Sequence, residues 1–237
     1  MLVTEYRDKL VKSLFECGLL AEQVAKVVHH KSLWFMFGKD DIEDSAFWNF
    51  NDRIEQAAGL LYVPKEKYLT AAVRQPALFV TSPDMVKANL NGAAKLLGFP
   101  LRHRYIVAAL VRQPSLACSA PQTVHEHYQD LMHVQEKGLI VSEDLLEDIL
   151  RYPSSLTYSS SNTTLRVFHA ELLNRTCGLG TFFKKKKKET IEQEIDDCLT
   201  EKFNAGNLDF VDRAYSLHER GILSRLPAVF EMTAVPA

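Results

Sequence analysis

The sequence predicts an all-α fold, a right-handed or curved α-solenoid of about five helical repeats of roughly 40 residues each. The first observation is a recurring motif: Pro76, Pro114 and Pro153 lie 38 and 39 residues apart, each two positions after an arginine and shortly before a leucine. The second is a set of six glycines, each followed by an apolar residue, at intervals of 39 to 43 residues: Gly18, Gly59, Gly98, Gly138, Gly178 and Gly221. Because one such unit cannot bury its apolar face alone, neighbouring units must stack and share it.

The glycines set the predicted boundaries. Glycine adopts the left-handed backbone conformation without the steric cost of a Cβ atom, and the apolar residue after it packs back onto the last helical turn. Each of the six is therefore interpreted as the end of a helix. The whole chain, 1–237, is predicted to be a single helical-repeat domain with these parts: an N-terminal cap helix 1–18, repeats 19–59, 60–98, 99–138, 139–178 and 179–221, and a C-terminal cap or tail 222–237.

Apolar residues at helical spacing predict two helices in each repeat, separated by the proline turn. The cap helix covers 3–17, and the first repeat ends with helix 43–58 but lacks the proline. In the second repeat, Ser82 is predicted to cap the helix 83–97, with Pro83 in its first turn. The later long helices are predicted at these ranges: 163–177, 189–203 and 209–220.

Composition bounds the class of protein and its compartment. The 237 residues carry a formal net charge of −2, with 46% hydrophobic and 24% charged residues, which is ordinary for a soluble globular protein. This charge counts against a strong non-specific nucleic-acid binder, for which a basic domain is expected. No apolar run is long enough to span a membrane, and the N-terminus resembles neither a secretory signal nor a transit peptide. We expect a cytoplasmic protein; the alternatives are an organelle matrix after removal of a targeting segment, or a host cell in the case of a secreted effector.

The repeated segments resemble a known helical repeat. Leu-Gly-hydrophobic, a short helix ending in Arg-x-Pro-x-Leu, a Ser-Pro restart and a second helix ending in Leu-x-x-x-Gly are similar to the repeat of the mitochondrial transcription termination factor (mTERF) family. The similarity is best over 98–178 and looser over 18–221. It implies a solenoid of short helix triplets, curved like a half-doughnut, that binds nucleic acid along a concave, basic groove. HEAT-like helical pairs, with a period of about 40–47 residues, are the structural alternative.

A column of cations accompanies the prolines. Arg74, Arg112 and Arg151 each precede a repeat proline by two positions, and His29 occupies the corresponding place in the first repeat. Such a column could bind successive phosphates, each arginine offering a bidentate fork. Alternatively, a cation at the end of a helix satisfies the last carbonyls and the helix dipole.

Further basic residues are candidates for the same phosphate contacts. Arg166 adds basic character to the middle of the array, and a five-lysine run extends to Lys188. The run is predicted to contact nucleic acid or anionic lipid, to serve as a nuclear-import patch, or to form a solvated loop. The remaining candidates for phosphate contact are these: Arg102, Arg104, Lys184, Lys185 and Lys186.

No pattern in the sequence indicates catalysis, a cofactor or a metal. His125 and His127 are two positions apart and so lie on different helix faces, while His133 has no cysteine or further carboxylate at ligand spacing. Four scattered cysteines predict reduced thiols rather than disulfides or metal ligands. Because no nucleophile–base pair or carboxylate dyad emerges, we expect a protein that is not an enzyme.

Two functions remain open from the sequence. The first is non-enzymatic binding of DNA or RNA, with phosphate contacts through a concave basic face. The second is a protein–protein interaction scaffold, such as a bacterial effector that docks a host protein. This second hypothesis rests on the near-neutral charge together with the aromatic residues of the first repeat: Trp34, Phe35, Phe37, Trp48 and Phe50.

Overall fold

The computed structural model of the chain describes residues 2–30, 49–98, 103–184 and 186–231. This part of the chain is mostly helical and contains one isolated bridge but no β-strand, so the all-α prediction is confirmed for it. The residues group into two compact units, Met1–His125 and Glu126–Ala237, which are described separately below. The assignment of the chain to one domain of about five stacked repeats stays a prediction.

The first unit follows the predicted order of helices. Its elements are α1 (Leu2–Glu16), α2 (Ala21–Val28), α3 (Phe50–Leu60), α4 (Lys65–Arg74), α5 (Ala77–Val80), α6 (Pro83–Leu96), α7 (His103–Arg112) and the 3₁₀ helix Pro114–Cys118. Helix α8 (Pro121–Glu136) begins in this unit and continues into the second. The cap at Ser82 is confirmed, because its Oγ accepts a hydrogen bond from the Met85 amide at 3.3 Å. Of the predicted helix 43–58, residues 43–48 lie outside the described residues, Asn49 is the N-cap of α3, and residues 50–58 belong to α3.

The second unit departs more from the predicted bounds. Its further elements are α9 (Leu145–Arg151), the 3₁₀ helix Pro153–Thr157, α10 (Ser160–Leu172), α11 (Leu179–Phe182), α12 (Lys188–Asn204), α13 (Leu208–Glu219) and α14 (Ala228–Glu231). The predicted helix 163–177 is wrong at both ends. Ser159 caps α10 by accepting a hydrogen bond from the Asn162 amide at 3.3 Å, and Cys177 forms a parallel bridge with Ile140. Among the helices that the structure describes, none combines the length and apolar character needed to span a bilayer.

The three proline motifs adopt one backbone conformation. The residues before the prolines, Gln75, Gln113 and Tyr152, have φ of −129°, −140° and −127° and ψ of 84°, 79° and 58°. A proline excludes its predecessor from the helical region, so the preceding helix ends there and a short helix starts at or beside the proline. A long helix, a short helix and a second long helix thus follow one another three times along the chain.

Four of the six repeat glycines end helices in the predicted manner. Gly18, Gly98, Gly138 and Gly221 have φ of +84°, +69°, +70° and +67°. At Gly138 the amide bonds to the Gln135 carbonyl at 2.8 Å, and the next amide bonds to the Val134 carbonyl at 3.2 Å. This pair of bonds is the Schellman motif, in which the left-handed residue satisfies carbonyls that the helix leaves unpaired.

The prediction is wrong at Gly59 and Gly178. Gly59 lies inside α3, and the left-handed residue that ends this helix is Tyr62, whose φ is +52°. Gly178 is an extended residue before α11, and Asn174, with φ of +48°, ends α10 instead. Asparagine tolerates this conformation because its side chain bonds locally, and Tyr62 holds it with its side chain 80% exposed. The repeat boundaries placed at 59 and 178 therefore do not coincide with helix ends.

Each unit has its own apolar core. In the first, Phe50 and Phe79 are fully buried with ring centroids 5.7 Å apart, and Tyr68 is buried with them in the same unit. In the second, the α12 residues Ile191 and Ile195 are buried in one cluster with residues of α10 and α13. The rest of this cluster comprises Leu165, Phe168, Leu172, Leu199, Val211, Ala214, Leu217, Ile222, Leu223 and Phe230.

Replacing a helical glycine and a left-handed glycine by alanine should change the free energy of unfolding in opposite directions. A Cβ atom at Gly59 or Gly138 would have no neighbour within 4 Å, so only the backbone conformation distinguishes them. We expect Gly59→Ala to raise the free energy of unfolding by about 0.5–1 kcal/mol, since helical alanine loses less chain entropy than glycine. Gly138→Ala should lower it by about 1–2 kcal/mol, the cost of a Cβ atom in the left-handed region. Urea unfolding followed by circular dichroism measures both, and changes of the same sign would contradict this assignment.

Candidate functional site

The predicted arginine column occupies equivalent places in the structure. Arg74, Arg112 and Arg151 are the last residues of α4, α7 and α9, and all three are exposed. His29 follows α2 as its exposed C-terminal cap residue. Arg102 and Lys185 lie outside the described residues, and Arg104 lies in α7 but its side chain is not described.

Arg74 braces one helix end against another. Its Nη1 donates to the Val111 carbonyl at 2.6 Å and its Nη2 donates to the Arg112 carbonyl at 3.0 Å. These carbonyls are at the C-terminus of α7, where the helix dipole is negative and the backbone acceptors lack helical partners. Arg74 therefore satisfies carbonyls, as one of the two interpretations of the column expected, but at the end of another helix rather than its own.

Arg151 is also engaged within its own helix. Its Nη2 donates to the Glu147 carboxylate at 2.5 Å, an i,i+4 ion pair on an exposed helix face. A phosphate would have to compete with this carboxylate. The contacts of Arg74 and Arg151 thus do not assemble the column into one anion site.

A different column of side chains, which the sequence analysis missed, joins each of four long helices to a short helix later in the chain. Side chains of α3, α6, α8 and α10 donate to carbonyls of the short helices that come later in the chain. The bonds are Arg53 Nη1 to Val80 O at 3.4 Å, Asn89 Nδ2 to Ala117 O at 3.0 Å, His127 Nδ1 to Leu156 O at 2.6 Å and Arg166 Nη1 to Phe182 O at 3.2 Å. The donors lie 36, 38 and 39 residues apart. The residue type changes at each step, so spacing is the only sequence signal for this column.

The last donor of this column lies in a basic cleft of the second unit. The cleft has a volume of about 420 Å³ and lies between α10, the segment 175–177, α11 and the start of α12. Two of the predicted lysines, Lys184 and Lys186, line it. The structure adds Arg175 and His169, which the sequence analysis did not collect because they are distant in the chain from the lysine run.

Arg166 is buried in this cleft with only 7% of its surface exposed. Its Nε donates to Asn162 Oδ1 at 2.8 Å, and its Nη1 donates to the carbonyls of Phe182 and Lys184 at 3.2 and 3.4 Å. Its guanidinium also lies 5.1 Å from the ring centroid of Tyr158. Burial lowers the pKa of Arg166, and within the described residues none of these partners is a carboxylate.

Among the described residues, Glu194 is the only carboxylate that contacts side chains lining the cleft. Its Oε2 accepts a hydrogen bond from His169 Nε2 at 2.6 Å, and its Oε1 accepts one from Lys186 Nζ. The hydrogen bond from Lys186 lowers the pKa of Glu194, although burial opposes the shift. Burial lowers the pKa of His169. The hydrogen bond and charge of Glu194 raise this pKa, whereas the charges of Lys186 and Arg175 lower it further. Glu194 therefore offsets Lys186, while the charges of Arg166, Arg175 and Lys184 remain.

The chemistry of this cleft suits binding of an anion more than covalent catalysis. Its thiol, Cys177, makes no hydrogen bond with His169 within the described contacts, and burial raises its pKa, so it is not a thiolate at neutral pH. A second cleft of about 210 Å³ also contains cations, Lys137, Arg213 and Arg220. Lys137 and Arg213 share the Glu171 carboxylate, which offsets part of the positive charge of this cleft.

The histidines singled out in the sequence do not form a metal site in the structure. His127 bonds to a backbone carbonyl, and His133 lies 3.7 Å from the Glu136 carboxylate on an exposed surface. No cluster of metal-ligating side chains occurs among residues 2–30, 49–98, 103–184 and 186–231.

Comparison of the chain with protein-family models, with curated proteins and with solved structures finds no match. The relationship to the mTERF family, suggested by the repeated motif, stays a prediction.

The brace made by Arg74 should contribute to stability. We expect Arg74→Gln to lower the free energy of unfolding by about 0.5–1.5 kcal/mol, because the Val111 and Arg112 carbonyls lose charged donors. Lys67→Gln, on the exposed surface of the same helix, is the matched control and should change little. Urea unfolding measures both variants, and equal stability of the two would show that the brace contributes nothing.

The partly buried His169 predicts a pH dependence of stability. Because the pKa of His169 is below its unfolded value of about 6.5, the unfolded chain takes up this proton first, and stability falls as pH decreases through that value. The Glu194 contribution is lost only at lower pH, since its pKa is lowered from a carboxyl value. We expect His169→Gln to show a smaller loss of stability between pH 7.0 and 5.5 than the unmodified chain.

The control for this measurement is His133→Gln, which removes an exposed histidine. It should retain the pH slope of the unmodified chain in urea unfolding at pH 7.0, 6.25 and 5.5. Identical slopes for His169→Gln and the unmodified chain would contradict the lowered pKa of His169.

Proposed function

We propose that this chain is a non-enzymatic, helical nucleic-acid-binding protein that contacts phosphate through the basic cleft of its second unit. The observation that carries the proposal is the guanidinium of Arg166, which is buried in the cleft and contacts carbonyls, an amide and aromatic rings but no carboxylate of the described residues. A buried charge is costly unless it is paired. A bound phosphate would supply the missing counter-charge.

The rim of the cleft supports the same ligand. Arg175 and Lys184 are exposed and line the cleft, so their charges can act on an approaching strand. Arginine offers a bidentate fork to phosphate oxygens, and lysine acts as a point charge. The proposal keeps the ligand expected from the sequence, DNA or RNA, and moves the main contact from the arginine column to this cleft.

The contacts of the arginine column also favour the cleft as the main site of phosphate contact. Arg74 and Arg151 already bind helix carbonyls and a carboxylate. Using them for phosphate would mean giving up these bonds. Charge alone therefore does not decide which cations bind the ligand; the partners that each cation already has are decisive.

The scaffold hypothesis loses one of its residues. Phe50 is fully buried in α3 and packs on Phe79, so it is not part of a docking surface. Trp34 and Trp48 lie outside the described residues, and so do Phe35 and Phe37. We therefore retain nucleic acid as the proposed ligand.

Salt dependence of binding tests the proposal. Labelled 20-nucleotide single strands of RNA and DNA are titrated with the full chain at 50 to 200 mM KCl, and the affinity is measured by fluorescence anisotropy. With about three phosphates contacted, the log–log slope should be about −2, because each contact on a single strand contributes about −0.7. The double variant Arg175→Gln/Lys184→Gln should bring the slope toward zero by about 1.4.

The matched control is Lys67→Gln/Arg220→Gln, which removes two exposed cations outside the cleft. It should leave the slope unchanged. Absence of binding at 50 mM KCl, or an equal loss of slope in both double variants, would overturn the proposal.

A further inference from the structure

We infer that the basic cleft takes the terminal phosphate of a nucleic-acid strand, a phosphomonoester, rather than a phosphodiester within the strand. This inference rests on the function proposed above and names the part of the ligand that enters the cleft. It is carried by the depth of Arg166, the size of the cleft and the charges that remain there.

The depth of Arg166 restricts what can reach it. Its guanidinium is nearly covered, with the Tyr158 ring 5.1 Å and the Phe183 ring 5.9 Å away, and Tyr158 Oη bonds to the Phe183 carbonyl at 3.3 Å. A phosphodiester carries a sugar on both sides, so it cannot approach a recessed group closely. A terminal phosphate has one free side and can enter end-on, leaving its sugar at the rim.

The volume agrees with such a ligand. The cleft measures about 420 Å³, near the lower end of the range of small-molecule sites, which is about 300–1,000 Å³. A phosphate with one nucleoside suits this size, whereas several nucleotides of strand do not. Thr176 and Thr181 add hydroxyl groups to the lining.

The charge balance also favours a terminal phosphate. Arg166, Arg175 and Lys184 keep their charges, since Glu194 is shared between Lys186 and His169. A phosphomonoester carries about −1.5 to −2 at pH 7 and offers three acceptor oxygens, whereas a diester carries a single negative charge. The dianion therefore offsets the remaining positive charge more completely.

The experiment compares strands that differ only at their ends. Three 12-nucleotide RNAs of one sequence, bearing a 5′-phosphate, a 3′-phosphate or neither, are titrated with the full chain at 100 mM KCl. We expect one phosphorylated strand to bind at least about tenfold tighter than the unphosphorylated one, as one or two charge-assisted hydrogen bonds would provide. The 5′ and 3′ strands show which end is recognised.

Variants then assign this preference to the cleft. Arg166→Gln should abolish the preference for the phosphorylated end, provided that circular dichroism shows an intact fold. The exposed double variant Arg175→Gln/Lys184→Gln should reduce the preference without that risk, and Lys67→Gln/Arg220→Gln should retain it. A preference that survives in both cleft variants would overturn the inference.

Failure of the inference can be told apart from failure of the proposed function. Salt-dependent binding of all three strands with equal affinity overturns the terminal-phosphate inference and leaves nucleic-acid binding standing. No binding of any strand overturns the proposed function. Competition adds a further arm: adenosine 5′-monophosphate should displace the preferred 5′-strand, or the 3′-monophosphate the 3′-strand. Equal displacement by inorganic phosphate would show a site for the anion alone and overturn the assignment to a strand end.

Discussion

The hydrogen bond from a long helix to a carbonyl of a short helix later in the chain is the interaction on which the packing of the long and short helices depends. A proline break, or the short helix that replaces it, leaves backbone acceptors without helical partners. A buried acceptor left unpaired costs about 1–3 kcal/mol. Arg53, Asn89, His127 and Arg166 each donate to such a carbonyl. One structural requirement is thus met at each step of the chain by a different side chain.

The variation among these donors has a consequence for function. Asparagine satisfies a carbonyl with a neutral amide group, so nothing more is needed at Asn89. Arginine has five N–H donors and a permanent charge. At Arg166 the carbonyls and Asn162 use part of this capacity, and burial leaves the charge in need of an anion. Under the proposed function, a residue that satisfies carbonyls of the fold is also the base of the phosphate-binding cleft.

How much of the structure the sequence predicts depends on how far apart in the chain the interacting residues lie. The proline motifs are local, because a proline restricts its own predecessor, and all three were placed correctly. The glycine rule failed at Gly59 and Gly178 because the residue type does not say whether a glycine lies within a helix or after it. The cleft depends on contacts between residues such as His169 and Glu194, 25 positions apart. No periodic pattern indicates such a pair, so the cleft could not be predicted.

If the proposed function holds, net charge is a poor guide to the ligand for a related reason. A total of −2 suggests a chain that does not attract polyanions. Yet carboxylates are placed beside particular cations: Glu147 beside Arg151, and Glu171 beside Lys137 and Arg213. Each such carboxylate offsets one positive charge nearby, and at physiological salt a charge acts over only about 8 Å. What a phosphate senses is therefore the arrangement of the cations left without a carboxylate, and in the described part of the second unit three of these, Arg166, Arg175 and Lys184, lie together at the basic cleft.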